Sequence, residues 1–499
     1  MSGLIKPIEQ NKVWLWLGLV GLFIGSLCLR FWGLGRFNAL VFDEVYYVKF
    51  AHNYLTHTPF FDGHPPLSKY LIAIGIWLGN QLPFGKDTVN TLAGSSLSTW
   101  SYRWLNALTG SFIPLVVAAI AYELSRRRSY ALIAGLFAAA DGLFLVESRY
   151  ALNNVYLVIF GLLGQWFFLK ALNAPGKKWL LWMGLAGLFF GASASIKWNG
   201  LWFLLGAYLL WGIAWAIRLV RMIGRSSTPS DATPLYRLAR LNPFYVLLTL
   251  GAIPALFYRL IWIPHLSLSH DFGFWEVQKQ ILAYHERVGS GPTVHPYCST
   301  WVGWIWMQRP VAYFYQVASS LTAPIPASGT ASAVTSGSVI YDVHAMGNPF
   351  LWWFSAGAIA LLLWILIENF NSLISPAETL TPHQQIGLLP PNEVWIGLFL
   401  VVNYAANLLP WVRVTRCVFL YHYMGSSVFA SLALAWLVDR WFRSNTPRLR
   451  SRATWTIAIV LVSFVFWMPV YLGLPLFEWQ YNLRMWQIQI GNFWLLRWI

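Results

Sequence analysis

Apolar residues run for about twenty positions at a time along most of this chain, separated by short polar stretches. A helix of that length spans the roughly 30 Å hydrocarbon layer of a bilayer. Such runs stand near 13–32, 104–124, 130–147, 151–170, 179–196, 201–219, 243–262, 349–367, 394–411, 418–438 and 454–473, which predicts about eleven transmembrane helices. The first run is too long for a secretory signal and lacks a small-x-small cleavage site, so it is expected to remain as an uncleaved anchor. The stretch Pro66–Leu82 is shorter and carries Lys69, which predicts an interfacial helix in the outer leaflet instead of a further span. The expected fold class is an all-α polytopic membrane protein, one integral domain over 1–499.

Charge fixes which ends face which way. Only 10% of the 499 residues are charged while 57% are hydrophobic, too little charge to cover a soluble protein of this size. The 34 Lys and Arg against 18 Asp and Glu suit anionic headgroups better than nucleic acid, so membrane lipids are expected partners and nucleic acid is not. Lys6, Lys12, Arg126–Arg128, Lys177, Lys178, Arg218, Arg221, Arg225, Arg440, Arg443, Arg448, Arg450 and Arg452 all fall on one side of the eleven-span scheme. The positive-inside rule makes that side cytoplasmic. Had Pro66–Leu82 crossed, Arg126–Arg128 would lie outside. The loop 368–393 has no Lys or Arg, so the rule is silent there. The N-terminus is expected inside, and the large pieces 33–103 and 263–348 outside, where function is expected. Small polar residues at 323–338 and 225–234 predict flexible loops. Cys28, Cys298 and Cys417 imply no cystine framework, since two of them sit in or beside apolar runs.

The chemistry-bearing residues cluster in the outer pieces. Phe42-Asp43-Glu44-Val45-Tyr46-Tyr47 follows the first apolar run directly, and two carboxylates at a membrane surface are costly unless paired or used. Asp43 reads either as an N-cap for a helix Glu44–Leu55 or as a reacting group. Adjacent helix residues point about 100° apart, so Asp43 and Glu44 are expected to do different jobs. His64-Pro65-Pro66-Leu67 leads into Lys69; the two prolines set an extended entry and then a helix start. That would hold His64 and Lys69 near the headgroup plane, as phosphate ligands or as interfacial anchors. Arg103 opens the second span from the same side. Asp141, Glu147, Arg149 and Lys197 lie in or at the ends of spans, where charge faces the bundle or a wet cavity. His295, Tyr297, Trp301, Trp304 and Trp306 form an aromatic stretch that suits either an interface or a sugar ring. No metal-ligand spacing, P-loop, GxGxxG or GxSxG stands in the chain, so no metal and no nucleotide cofactor is expected.

Taken together, Phe42–Tyr47 with His64-Pro65-Pro66-Leu67-Ser68-Lys69 resembles the protein O-mannosyltransferases, GT-C enzymes that use dolichyl- or polyprenyl-phosphate-mannose. The resemblance extends through Tyr102-Arg103-Trp104, Asp141-Gly142-Leu143, Ser148-Arg149, Lys197-Trp198 with Gly200, His295-Pro296-Tyr297 with Trp301, Gly347-Asn348-Pro349 and Phe419–Tyr423, so it covers nearly the whole chain. It implies a GT-C fold of eleven spans with a catalytic first outer loop. Two departures stand out. Relatives commonly have Asp where this chain has Asn154, so no acid role is expected there. The region 263–348 is too short for the extra β-trefoil domain of eukaryotic members, which implies the bacterial form.

The implied reaction is inverting transfer of mannose from the lipid phosphate to Ser or Thr hydroxyls of translocated polypeptides at the outer face. Its leaving group is a phosphate, which needs cations more than a general acid, and its acceptor hydroxyl needs a base. The resemblance puts Asp43 in the base role, with Glu44 positioning it or the acceptor. Donor phosphate or substrate contacts are expected from His64, Lys69, Arg103, Arg149 and Lys197. No cofactor is expected beyond the lipid-linked donor as substrate. The lipid A aminoarabinose transferases share the acidic motif and the Pro-Pro-Leu turn but usually carry Lys where His64 stands. A lipid or polysaccharide transporter would be expected to show repeats and broken midplane helices, and the sequence pattern suggests neither.

Overall fold

The computed structural model describes residues 7–83, 85–223, 233–268, 272–326, 334–335, 337–369, 389–491 and 493–499. Most of the loops expected at 225–234 and 368–393 lie outside the described residues, as does the middle of 323–338. Every apolar run of the sequence is helical. Eight helices among the described residues are long and apolar enough to cross a membrane, and a bent pair, Arg128–Ala139 and Gly142–Arg149, makes up to nine. The two remaining expected spans are the shorter helix Lys178–Ala194 and Met424–Phe442, which is buried along almost its whole length in the middle of the bundle.

The bend is written locally. The helix stops at Ala139, and Asp141 restarts it by accepting the backbone N–H groups of Leu143 at 2.8 Å and Phe144 at 3.4 Å. Its other oxygen takes the indole N–H of Trp352 at 2.7 Å. The two segments meet at 58°, which carries Glu147 toward the loops. Asp141 is therefore a cap and a tie between helices.

At one end of the bundle Arg127 pairs with Glu393 and with Asp439, which also holds Arg443 at 3.0 Å. The described parts of 33–103 and 263–348 lie at the other end. There the helix Glu44–Leu55 is followed by Leu67–Gln81, whose fifteen residues rise only about 22 Å. It lies along the start of Thr99–Ser125: a Cβ on Gly79 would come within 2.8 Å of the Ser101 Cα, and the Trp104 indole donates to the Gly75 carbonyl at 2.8 Å.

The helical reading is incomplete only in the loops, where three two-stranded antiparallel sheets form. The one that matters for the site pairs Val311–Ala318 with Val339–Ala345. Both strands are rich in β-branched and aromatic residues and the second is buried throughout; on the first strand Tyr313 stacks on Phe42 of the first loop at 4.1 Å and Phe314 meets Phe37 in a tilted contact at 4.2 Å. A disulfide joins Cys298 to Cys417, correcting the expectation that no cystine forms. Both cysteines flank apolar helices on the loop side, and 119 residues of chain separate them, a proximity that only the folded bundle creates.

Candidate active site

The turn before Glu44 is built around a backbone that few residues adopt. Phe42 has φ of +51°, in the left-handed region that costs a non-glycine residue about 1 kcal/mol or more. Its ring stacks on Tyr313 and packs edge-on to Tyr421, which holds the turn in place. Asp43 follows with φ −68° and ψ −2° and makes no capping bond with its side chain. The N-cap reading therefore fails. Among the described residues no group hydrogen-bonds to its half-buried carboxylate. Burial pushes the Asp43 carboxyl up to about 6, with Lys197 pulling against it and Asp62 adding to it.

Glu44 does the opposite job. It is wholly buried and accepts the N–H groups of Val41 and Ala151, both at 2.8 Å. Arg103 grips both its oxygens at 2.9 and 2.7 Å. The rest of Arg103 is equally engaged: Leu34, Phe37 and Ala39 take its remaining donors through their carbonyls. The expectation that Arg103 reaches a donor phosphate is corrected on that ground, because all five N–H groups already face protein.

Lys69 and Arg149 are corrected in the same way. The Lys69 ammonium donates to Asp62 and to the carbonyls of His64 and Pro65 at 2.9 and 2.8 Å, which folds the His-Pro-Pro turn around it. Arg149 turns onto the carbonyls of Leu29, Arg30, Trp32 and Gly33 at the end of the first helix. Both position loops: every Lys69 donor is taken, and the Arg149 Nε, which has no partner among the described residues, is buried. His64 is half-buried, with its ring 5.2 Å from that of His285. Burial, with Lys197 nearby, keeps it well below the usual histidine range, so it is neutral near pH 7.

Lys197 is the expected cation that does reach Asp43. It emerges where the helix Lys178–Ala194 ends, at the N-cap of the turn Trp198–Gly200. It donates to Asn154 at 2.9 Å and its ammonium sits 5.5 Å from the centre of the Tyr421 ring. Asn154 gives its own N–H groups to both oxygens of Glu147 at 3.2 Å, and Tyr313 donates to the same carboxylate. An asparagine suits this spot because it accepts from the lysine and donates to the acid at once. Burial lowers Lys197 below the usual lysine value, with Asp43 and Glu147 opposing. A small cavity lined by Asn154, Asn199, Trp202, Asn407, Tyr421 and His422 adjoins this cluster.

The sequence reading missed Arg416, Tyr313 and His285 here, and gave Tyr421 only as part of the Phe419–Tyr423 resemblance. For Arg416 a signal existed: Arg413 and Arg416 fall on the outer side of the predicted topology, against the positive-inside trend. The stretch from His295 packs beside the site, through Phe419 and the Cys298–Cys417 disulfide. Tyr297 is covered by Arg309 at 4.6 Å, and Arg309 bonds the carbonyls of Arg497 and Ile499. Trp304 is fully buried against Trp411 and His422. Among the described residues no three His, Cys, Asp or Glu side chains group so as to hold a metal ion.

Similar proteins bear on this arrangement. The model for the dolichyl-phosphate-mannose-protein mannosyltransferases matches residues 20–269, and that for the C-terminal four-helix membrane region of protein-O-mannosyltransferases matches 272–489. Protein O-mannosyl-transferase 1 of Rattus norvegicus is 29% identical over 54% of this chain, although the match spans only 35% of that protein. The polyprenol-phosphate-mannose–protein mannosyltransferase of Corynebacterium glutamicum is 24% identical over 97% of this chain and 96% of its own length. The Saccharomyces cerevisiae protein O-mannosyltransferase Pmt1-Pmt2 complex bound to the sugar donor superposes with a TM-score of 0.73 at 15% identity, covering 97% of this chain and 93% of that one. That likeness establishes the GT-C fold. With a family model over half its length and a second over most of the remainder, the chain belongs to the dolichyl-phosphate-mannose-protein mannosyltransferase family and is a membrane-embedded glycosyltransferase.

Proposed function

We propose that this chain transfers mannose from a polyprenyl-phosphate-mannose donor to Ser or Thr hydroxyls of polypeptides, with inversion, on the extracytoplasmic side of the membrane. Asp43 carries the reading: a half-buried carboxylate with no hydrogen-bond partner among the described residues, fixed by a strained turn and pushed up to about 6 by burial. A group so placed is suited to take a proton from a hydroxyl. The acceptor oxygen attacks C1 of the sugar from the face opposite the phosphate, and its proton passes to Asp43. The carbon–oxygen bond to phosphate breaks, and the electron pair leaves with the phosphate. Because the donor arrives activated, the reaction needs no resident cofactor. Lys197, between Asp43 and Glu147, keeps the Asp43 carboxylate charged and stands within the region where negative charge develops. His64, neutral, stands beside His285 within electrostatic reach of Lys197. The disulfide beside the site supports the extracytoplasmic placement, since such bonds persist where the environment is oxidising. Incubating the purified chain in lipid nanodiscs with labelled polyprenyl-phosphate-mannose and a Ser/Thr-rich peptide tests this. An α-linked mannosyl peptide is expected; transfer only to a glycan or lipid acceptor would refute it.

A further inference from the structure

We propose that Arg416 grips the phosphate of the lipid-linked donor, and that the Cys298–Cys417 disulfide holds it in place to do so. The inference rests on the donor reading above and adds the residue that reads the phosphate. Of the arginines and lysines expected to do so, Lys69 and Arg103 have their donors engaged by protein, and Arg149 turns onto four backbone carbonyls with its remaining Nε buried. Lys197 bonds Asn154 and lies between two carboxylates that already balance its charge. Arg416 differs on each count. It is half-buried, its one hydrogen bond runs from Nη1 to the Cys417 carbonyl at 3.1 Å, and no carboxylate pairs with it among the described residues. Its guanidinium lies within electrostatic reach of Tyr47, Tyr284 and Tyr421, which also feel the Asp43 carboxylate. It also reaches Lys197, His64, His285 and His422. A guanidinium with no carboxylate partner among the described residues therefore lies near the cluster that contains the base, on the same segment as Tyr421, whose ring centre is 5.5 Å from the Lys197 ammonium, and a single hydrogen bond among the described residues leaves most of its planar fork of donors free. That fork matches a phosphate two bonds at a time, which an ammonium cannot do.

The chemistry asks for such a group. When the C1–O bond breaks, its electron pair stays on the phosphate, which goes from a diester with one negative charge to a monoester with two. A fixed cation there stabilises the transition state more than the bound donor. The segment carrying Arg416 has little helical structure to fix it; it follows the short turn Leu409–Arg413. The disulfide replaces that support. The Cys417 N–H donates to the Gly289 carbonyl at 2.8 Å and the Ser299 N–H to Val418 at 2.9 Å, so the bond and the two backbone contacts fasten the arginine's neighbour to the second outer piece.

Binding of sugar-free polyprenyl phosphate to the full chain in nanodiscs, measured by intrinsic tryptophan fluorescence, tests both halves. Charged hydrogen bonds are strong enough that R416A is expected to weaken it about ten- to a hundredfold, R416K less, and the exposed-site variant R413A not at all. The C298S/C417S double variant is expected to fall between wild type and R416A. Neutral polyprenol, which lacks the phosphate, is the second probe, and its binding is expected to be unchanged in R416A. Wild-type affinity of R416A for polyprenyl phosphate, or an equal loss for polyprenol, overturns the phosphate assignment. Wild-type affinity in the double cysteine variant overturns the role of the disulfide. If wild type binds polyprenyl phosphate through Arg416 yet transfers no mannose, the donor-sugar reading fails and this assignment stands.

Discussion

Asp43 and Glu44 are neighbours in sequence with no physical role in common. Glu44 closes a buried ion pair with Arg103 that also pins two backbone N–H groups. Removing one partner of such a pair strands the other charge, at about 3–5 kcal/mol. Glu44→Ala is therefore expected to lower the thermal midpoint strongly and to leave little folded protein, a loss visible by size-exclusion chromatography before any assay. Asp43→Asn has no bond to lose. It is expected to keep the wild-type midpoint while cutting single-turnover transfer about a hundredfold or more; transfer at the wild-type rate would remove Asp43 from the chemistry. The pH profile gives an independent reading. A base must be unprotonated to act, so with Asp43 at about 6 the transfer rate is expected to fall as pH drops through about 6. On the alkaline side Lys197, lowered by burial, loses its charge before an ordinary lysine would and brings the rate down again. The acid limb should vanish in Asp43→Asn; its persistence there would assign it to another group.

At the scale of elements, what the sequence disclosed and what it hid divide along a physical line. Helices announce themselves because each must bury its own backbone polar groups in lipid, and an apolar run of sufficient length has few other options. Hence the runs at 104–124 or 454–473 are helices, and so is the stretch after Pro66. The partners of charged side chains are another matter. Arg103 meets Glu44 across 59 positions and Tyr313 meets Glu147 across 166, and no local pattern encodes such distances. The same motif residues that carried the family resemblance therefore misled on role: Lys69 and Arg149 are motif positions because loops depend on them. The paired strands 311–318 and 339–345 were hidden for a similar reason, since a strand buried on both faces shows no alternation. The close approach of Leu67–Gln81 to Thr99–Ser125 yields a test of how such scaffolding reaches the site. Gly79→Leu would drive a side chain into the Ser101 backbone, at a cost of about 1–3 kcal/mol. It is expected to shift the helix, and with it Lys69 and the His64 turn, so that transfer falls by more than the loss of folded protein. Activity per folded molecule equal to wild type would show that the interfacial helix only anchors the chain.

Over the whole molecule, the arrangement separates two charge regimes. One end of the bundle carries the network of Arg127, Glu393, Asp439 and Arg443; the other carries the described parts of 33–103 and 263–348, the base and the disulfide. If the positive-inside rule holds here, the Arg127 end is cytoplasmic and Asp43 lies outside together with both ends of Leu67–Gln81. Single cysteines probe this directly. In a Cys28→Ser background that keeps the disulfide, cysteines introduced at Tyr46 and Leu82 are expected to react with a membrane-impermeant maleimide added to intact cells. A cysteine replacing Arg126 is expected to react only after permeabilisation. Tyr46 and Arg126 are the exposed choices, beside Asp43 and Arg127 respectively. Labelling of positions 46 and 82 from opposite faces would make Leu67–Gln81 a crossing segment, even though it rises only about 22 Å, and would reverse the sidedness of everything after it. Labelling of 46 and 126 from the outside together would break the separation of the two ends. Labelling of 46 and 82 from the inside, with 126 outside, would invert the molecule, leaving a disulfide in a reducing compartment and the donor's sugar on the cytoplasmic face. The disulfide gives the decisive cross-check: Cys298 and Cys417 are expected to resist alkylation until a reductant is added, and to be found oxidised in the same cells in which position 46 labels from outside.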